Sequence, residues 1–85
     1  MNEGQGFEIV IAEIQKNTRE RIRISLSSFE GSPTISVWRF YVAASGEVRP
    51  GKGGLVLGIR HLPALADALA QAVAAARAEG RLPLA

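Results

Sequence analysis

The segment Arg49-Pro50-Gly51-Lys52-Gly53-Gly54 sets two cations within a run of glycines. Glycine lets a ligand approach the backbone closely, and Arg49 and Lys52 neutralise phosphate, so the run suits a phosphodiester chain. It fits a plain hairpin loop with solvated charges equally well. It lacks the spacing of a nucleoside-triphosphate loop and the Ser or Thr that would follow the lysine to hold magnesium, and it leads into a strand-like stretch, not a helix. Two flat side chains border this basic region: Phe29 precedes Glu30-Gly31, and Tyr41 precedes the glycine-bearing connection. Unpaired bases are held by such an interleaving of rings and cations. The residues alone leave Phe29 and Tyr41 open between that use and the core. Trp38 and Phe40 alternate with Arg39 and Tyr41, so they point to the opposite face and read as core.

No reaction centre emerges. Glu20, Glu30, Glu47 and Asp67 show no paired spacing that would flank a substrate, the serines have no identifiable base, and His61 stands alone. The absence of cysteine excludes a disulfide scaffold and thiolate chemistry, and with one histidine no multi-histidine metal site is available. The chain therefore reads as a binding protein, not an enzyme, with no cofactor and no metal. No apolar run reaches the roughly 18 residues of a membrane span, and residues 1–6 are unlike a secretion signal, so a cytoplasmic protein is expected, with nucleoid association as a bacterial variant of that expectation.

The net charge of +2 hides an uneven distribution. Residues 1–15 carry Glu3, Glu8 and Glu13 without a base, and residues 61–85 balance. Residues 16–60 hold Lys16, Arg19, Arg21, Arg23, Arg39, Arg49, Lys52 and Arg60 against only Glu20, Glu30 and Glu47. A basic footprint matters where it concentrates, and it concentrates here.

The elements that must position these groups follow from period and punctuation. Phe7 to Ile14 is β-branched and ends in Lys16-Asn17-Thr18, a strand and a turn. Arg21 to Ser27 alternates strictly, with Ile22, Ile24 and Leu26 on one face and Arg21, Arg23, Ser25 and Ser27 on the other. Glu30 to Pro33 reads as a turn, Thr34 to Val42 as a third strand, Ala43 to Gly54 as a long connection, and Leu55 to Ile59 as a fourth strand. From about His61 the period changes to three and four residues through Leu62, Leu65, Leu69 and Val73, a helix with Pro63 in its first turn that Gly80 stops. The helix is rich in alanine, so one face is expected to pack on the sheet while another accepts a second helix. At 85 residues the chain is a single domain of limited core, for which a partner subunit would supply stability.

Phe29-x-Gly31, then Ile35 to Tyr41, then Gly46-Glu47-x-Arg49-Pro50-Gly51-Lys52-x-Gly54, in this order and spacing, resemble the positive-cofactor-four family of transcriptional coactivators. The resemblance extends from roughly Phe7 to Leu69 and is to the compact bacterial form. It implies an α+β fold, a four-stranded curved antiparallel sheet followed by one C-terminal helix, paired through that helix into a homodimer. It also implies single-stranded DNA in channels across the sheets. Phe29 and Tyr41 match aromatics that stack on bases, and Arg49 and Lys52 match residues that contact the backbone. Glu30 stands where the family commonly has lysine, Gly53 where a second base follows the first, and Trp38 where arginine is frequent. Arg19, Arg21, Arg23 and Arg39 are candidates to compensate.

The expectation is a domain over 7–80 with flexible ends at 1–6 and 81–85. Its nucleic-acid-binding residues are Phe29, Tyr41, Arg49, Lys52, Arg21, Arg23 and Arg39. Its partners are single-stranded DNA, a second copy of itself, and transcription or repair machinery. RNA as the ligand, and a protein-interaction or assembly module, are the alternatives.

Overall fold

The computed structural model describes residues 8–82. The proposed flexible N-terminus, Phe7 and the tail from Pro83 lie outside the described residues. Four strands, β1 (Glu8–Gln15), β2 (Glu20–Phe29), β3 (Ser32–Val42) and β4 (Val48–Gly58), pair in sequence order as one open antiparallel sheet. A 3-10 turn (Ile59–His61) then leads into a helix, α1 (Leu62–Ala78). The α+β architecture expected from the sequence is the one observed.

The turns differ in length from their sequence reading. The β2–β3 turn is two residues, Glu30-Gly31, both with positive φ (52° and 85°), so β3 begins at Ser32 and contains Pro33. Positive φ at both central positions matches the twist of flanking strands, and Gly31 adopts it without steric cost. Pro33 pairs with Ser28 beyond the last β3–β4 pair, Thr34↔Gly58, so no β4 carbonyl waits for its missing N–H. The expected long connection from Ala43 to Gly54 is likewise short. β4 starts at Val48, which puts Arg49 and Lys52 on a strand instead of a loop. Extended backbone there is possible because β4 bulges: Trp38 pairs with Gly54 and Phe40 with Pro50, leaving two extra β4 residues between the pairs.

The register of β2 against β3 is unbroken from Phe29↔Ser32 to Glu20↔Tyr41. It assigns every side chain to a face. Ile22, Ile24 and Leu26 share theirs with Ile35, Val37, Leu55 and Leu57; Arg21, Arg23, Ser25 and Ser27 share the other with Thr34, Ser36, Trp38 and Phe40. A bulge in β1 between Val10 and Ala12 brings Glu8 and Glu13 to the arginine side and Ile9, Ala12 and Ile14 to the isoleucine side.

Cover for the apolar face is sparse. Ile35, 3% exposed, is the one buried hydrophobic side chain among the described residues. Helix α1 does not supply the cover expected of it: its main contacts run to the 3-10 turn, and only Leu62, Leu65 and Ala76 along it are half-buried. Leu69 and Val73 face solvent, as do Ile9, Ile14 and Leu55 on the sheet. The chain measures 49 × 37 × 20 Å with a radius of gyration of 15.5 Å, against about 12 Å for a compact chain of this length. The helix ends cleanly, with Gly80 N–H donating to Arg77 and Arg81 N–H to Ala76.

Glu30 occupies the left-handed region that asparagine tolerates better, and Asn-Gly is the favoured pair for this turn. Glu30→Asn is expected to raise stability by about 0.5–1 kcal/mol in urea unfolding. A loss of stability would show that the Glu30 side chain contributes something the turn geometry does not reveal.

Candidate nucleic-acid interface

The seven residues expected to bind nucleic acid divide between the two faces. Arg21, Arg23 and Phe29 alternate along β2 on the arginine face. Lys52 joins them. A Cβ placed on Gly51 would lie 2.7 Å from Nη2 of Arg39, which puts residue 51 on the isoleucine side and Lys52, by alternation, on the arginine side. Arg39, Tyr41 and Arg49 lie on the isoleucine side, where Tyr41 pairs directly with Arg49. Phe29 and Tyr41 are thus on opposite faces and at opposite ends of the β2–β3 ladder, roughly 30 Å apart at 3.3 Å per residue.

The cations differ in what already holds them. Arg23 donates from Nε to Glu13 at 2.8 Å and places its guanidinium over Phe40, Cζ 4.0 Å from the ring centroid. Arg39 donates to Glu20 at 2.8 Å and lies against Gly51. Arg49 makes two bonds to Glu47, at 2.9 and 2.7 Å. Arg21 and Lys52 form no ion pair among the described residues; Arg21 donates only to the carbonyls of Asn17 and Glu20. Surface pairs such as these are worth at most about 1 kcal/mol, so a phosphate can displace the carboxylates.

Trp38 and Phe40 are where the residue-level reading needs correcting. They stand on the face of Arg21 and Arg23, away from the isoleucine ridge, and are half-buried. The indole lies along β4: Nε1 donates to the carbonyl of Gly51 at 3.0 Å, and Cδ2 and Cε3 fill the space where a Cβ at Gly54 would sit. Alternation within β3 had paired these rings with each other but could not say which β2 face they joined. Phe29, at the hairpin end, is 66% exposed. Between the two ends the face is paved with small hydroxyls, among them Ser25, 2% exposed and donating to Glu8, and Thr34 bonded to Ser27.

Among the described residues no three His, Cys, Asp or Glu side chains cluster as metal ligands would, and no helix is long and apolar enough to cross a membrane. A recess of about 310 Å³ at the β3–β4 end is lined by Thr18, Arg19, Val42, Ala43, Ala44 and Gly46, with Arg19 its sole ionisable side chain.

A four-stranded antiparallel open sheet followed by a single C-terminal helix defines the class. The profile of the family described as Transcriptional Coactivator p15 (PC4) matches residues 16–68, and the chain belongs to that family. A PC4 homologue from Burkholderia pseudomallei, solved in two crystal forms, is similar at 28% and 27% identity, each with a TM-score of 0.71. The alignments cover 76% and 79% of this chain and 88% and 98% of that one. A bacteriophage T5 homologue of the eukaryotic coactivator PC4, described as implicated in recombination-dependent DNA replication, is 17% identical. Its TM-score is 0.62 over 86% of this chain and 82% of that one, a likeness of fold. No curated protein matches the sequence. Family membership supports a DNA-binding, coactivator-like role.

Glu20 links the β1–β2 turn to the Arg39 side of the sheet. A hydrogen bond from the Asn17 amide, with Lys16 and Arg39 adding, holds its carboxyl below the ordinary 4.5 despite some desolvation. A depressed carboxylate stabilises the fold above its unfolded pKa, and that contribution disappears as pH falls through the folded value. The Glu20 carboxyl is therefore expected to titrate by NMR with a midpoint below 4.5 and to move up in Asn17→Ala. An unchanged midpoint would assign the depression to the two cations instead.

Proposed function

We propose that this protein is a single-stranded-DNA-binding module that acts in transcription by binding and not by catalysis, with little sequence preference. The observation that carries the reading is the convergence of Arg21, Arg23 and Lys52 on one sheet face with an exposed Phe29 at its hairpin end. Cations that track a backbone and rings that receive bases are the two parts such binding needs. Glu8 and Glu13 repel phosphate from the β1 edge, so the strand runs over β2, β3 and β4. Tyr41 and Arg49, paired one step from the β3–β4 turn, receive it at the rim of the sheet. Arg39, tied to Glu20, supports that rim. A cytoplasmic, nucleoid-associated setting and contacts with transcription or repair machinery follow from this reading.

Anisotropy of labelled single-stranded DNA, duplex DNA and RNA at two salt concentrations tests it. Single-stranded DNA is expected to bind best. Phe29→Ala should weaken it by about 1–3 kcal/mol without unfolding the domain. Lys52→Ala and Arg21→Ala should each flatten the slope of log K against log salt by about 0.7. RNA binding more tightly would change the ligand, and no binding to any nucleic acid at low salt would favour a protein-interaction module.

The same reading includes a homodimer. The protomer exposes 6558 Å², against about 4,900 Å² for a compact monomer of this mass, and the excess is of interface size. Leu69 and Val73 on α1 and the isoleucine face are the apolar surfaces a second copy would cover. Sedimentation is expected to give a dimer, and Leu69→Glu with Val73→Glu to dissociate it. A monomeric wild type would remove this part of the proposal.

A further inference from the structure

We infer that Trp38 is a base-stacking platform at the centre of the arginine face, an inference that rests on the single-strand reading above. Three features of its setting point there. First, the indole is fixed before any ligand arrives: its one polar atom donates to Gly51, and its six-membered ring is seated in the space that glycine leaves at position 54. A ring held in this way loses little freedom when a base lies on it, which is the condition for stacking to yield net affinity. Second, its flanks carry the right charges. Arg23 is its direct partner on β2, and Lys52 follows on β4 on the same face, so phosphates either side of a stacked base meet cations. Third, the neighbouring ring is not free for this use, because the Arg23 guanidinium already covers Phe40. The Ser25, Ser36 and Thr34 positions nearby are too small to obstruct a base.

A tryptophan that merely seals Gly54 would sit in the same place, so the experiment must read contact with a base. Trp38 is the chain's single tryptophan, which makes intrinsic fluorescence a report on this residue alone. The full-length protein is titrated with an oligothymidylate of about 16 nucleotides, the upper site size for such modules, and separately with an abasic phosphodiester of equal length. Binding is followed in parallel by anisotropy. Thymidylate is expected to quench Trp38 saturably, in step with the anisotropy isotherm, and the abasic chain to leave the emission unchanged. Trp38→Leu should weaken thymidylate binding about 5- to 150-fold with an unchanged circular dichroism spectrum. Gly54→Ala, whose Cβ must displace the indole, should weaken it in the same direction. If Trp38→Leu fails to fold, wild-type quenching decides. Binding without quenching, or equal quenching by both chains, overturns the platform and leaves single-strand binding standing. No binding by anisotropy overturns both.

Discussion

The two-residue turn at Glu30-Gly31 fixes the register of β2 against β3, and the arrangement of side chains on both sheet faces depends on that register. Because side chains alternate with a period of two, a slip of one residue would move Arg21 and Arg23 away from Trp38 and Phe40 and place them over the isoleucine ridge. The unbroken pairing from Phe29↔Ser32 to Glu20↔Tyr41 instead puts Arg21 opposite Phe40 and Arg23 opposite Trp38. The contact of Arg23 with Phe40 at 4.0 Å is a direct product of it. So is the placement of Phe29 and Tyr41 on opposite faces and at opposite ends of the ladder.

A second constraint acts from β4. Gly54 has no Cβ, so the indole of Trp38 can lie on the strand, and the bulge between the Trp38 and Phe40 pairs brings the Gly51 carbonyl within reach of its N–H. The same bulge turns Lys52 toward the arginine face and leaves Gly51 against the Arg39 guanidinium. A glycine-rich run that resembles a flexible loop is thus an ordered strand, and its glycines serve to admit side chains from β3. Rigid elements hold binding groups more accurately than loops do. Meanwhile the isoleucine face and the outer side of α1 remain largely uncovered.

Much of this was legible beforehand. The strict alternation of Arg21 to Ser27 announced β2 and its two faces, the change of period from about His61 announced α1, and the motif spacing from Phe29 to Gly54 identified the family. Less legible was the extent of β4, because Pro50 and three glycines within six residues depress strand propensity and only pairing with β3 overrides it. Trp38 was misplaced for a related reason. Its face relative to β2 is set by pairing between the strands, which alternation within β3 alone does not report.

The sequence by itself determined the kinds of group available and their local order: a basic middle, rings interleaved with cations, four strands and a helix. These are properties of residue type and of spacing within one element, which short-range sterics and hydrophobic period express directly. Only the tertiary structure decided which of those groups meet. The assignment of Lys52 to the face of Arg21 and Arg23, the exclusion of Tyr41 from it, and the seating of Trp38 on Gly54 all arise from pairing between strands. Pairing depends on turn length and on bulges, and a one-residue change in register moves every side chain of a strand to the other face.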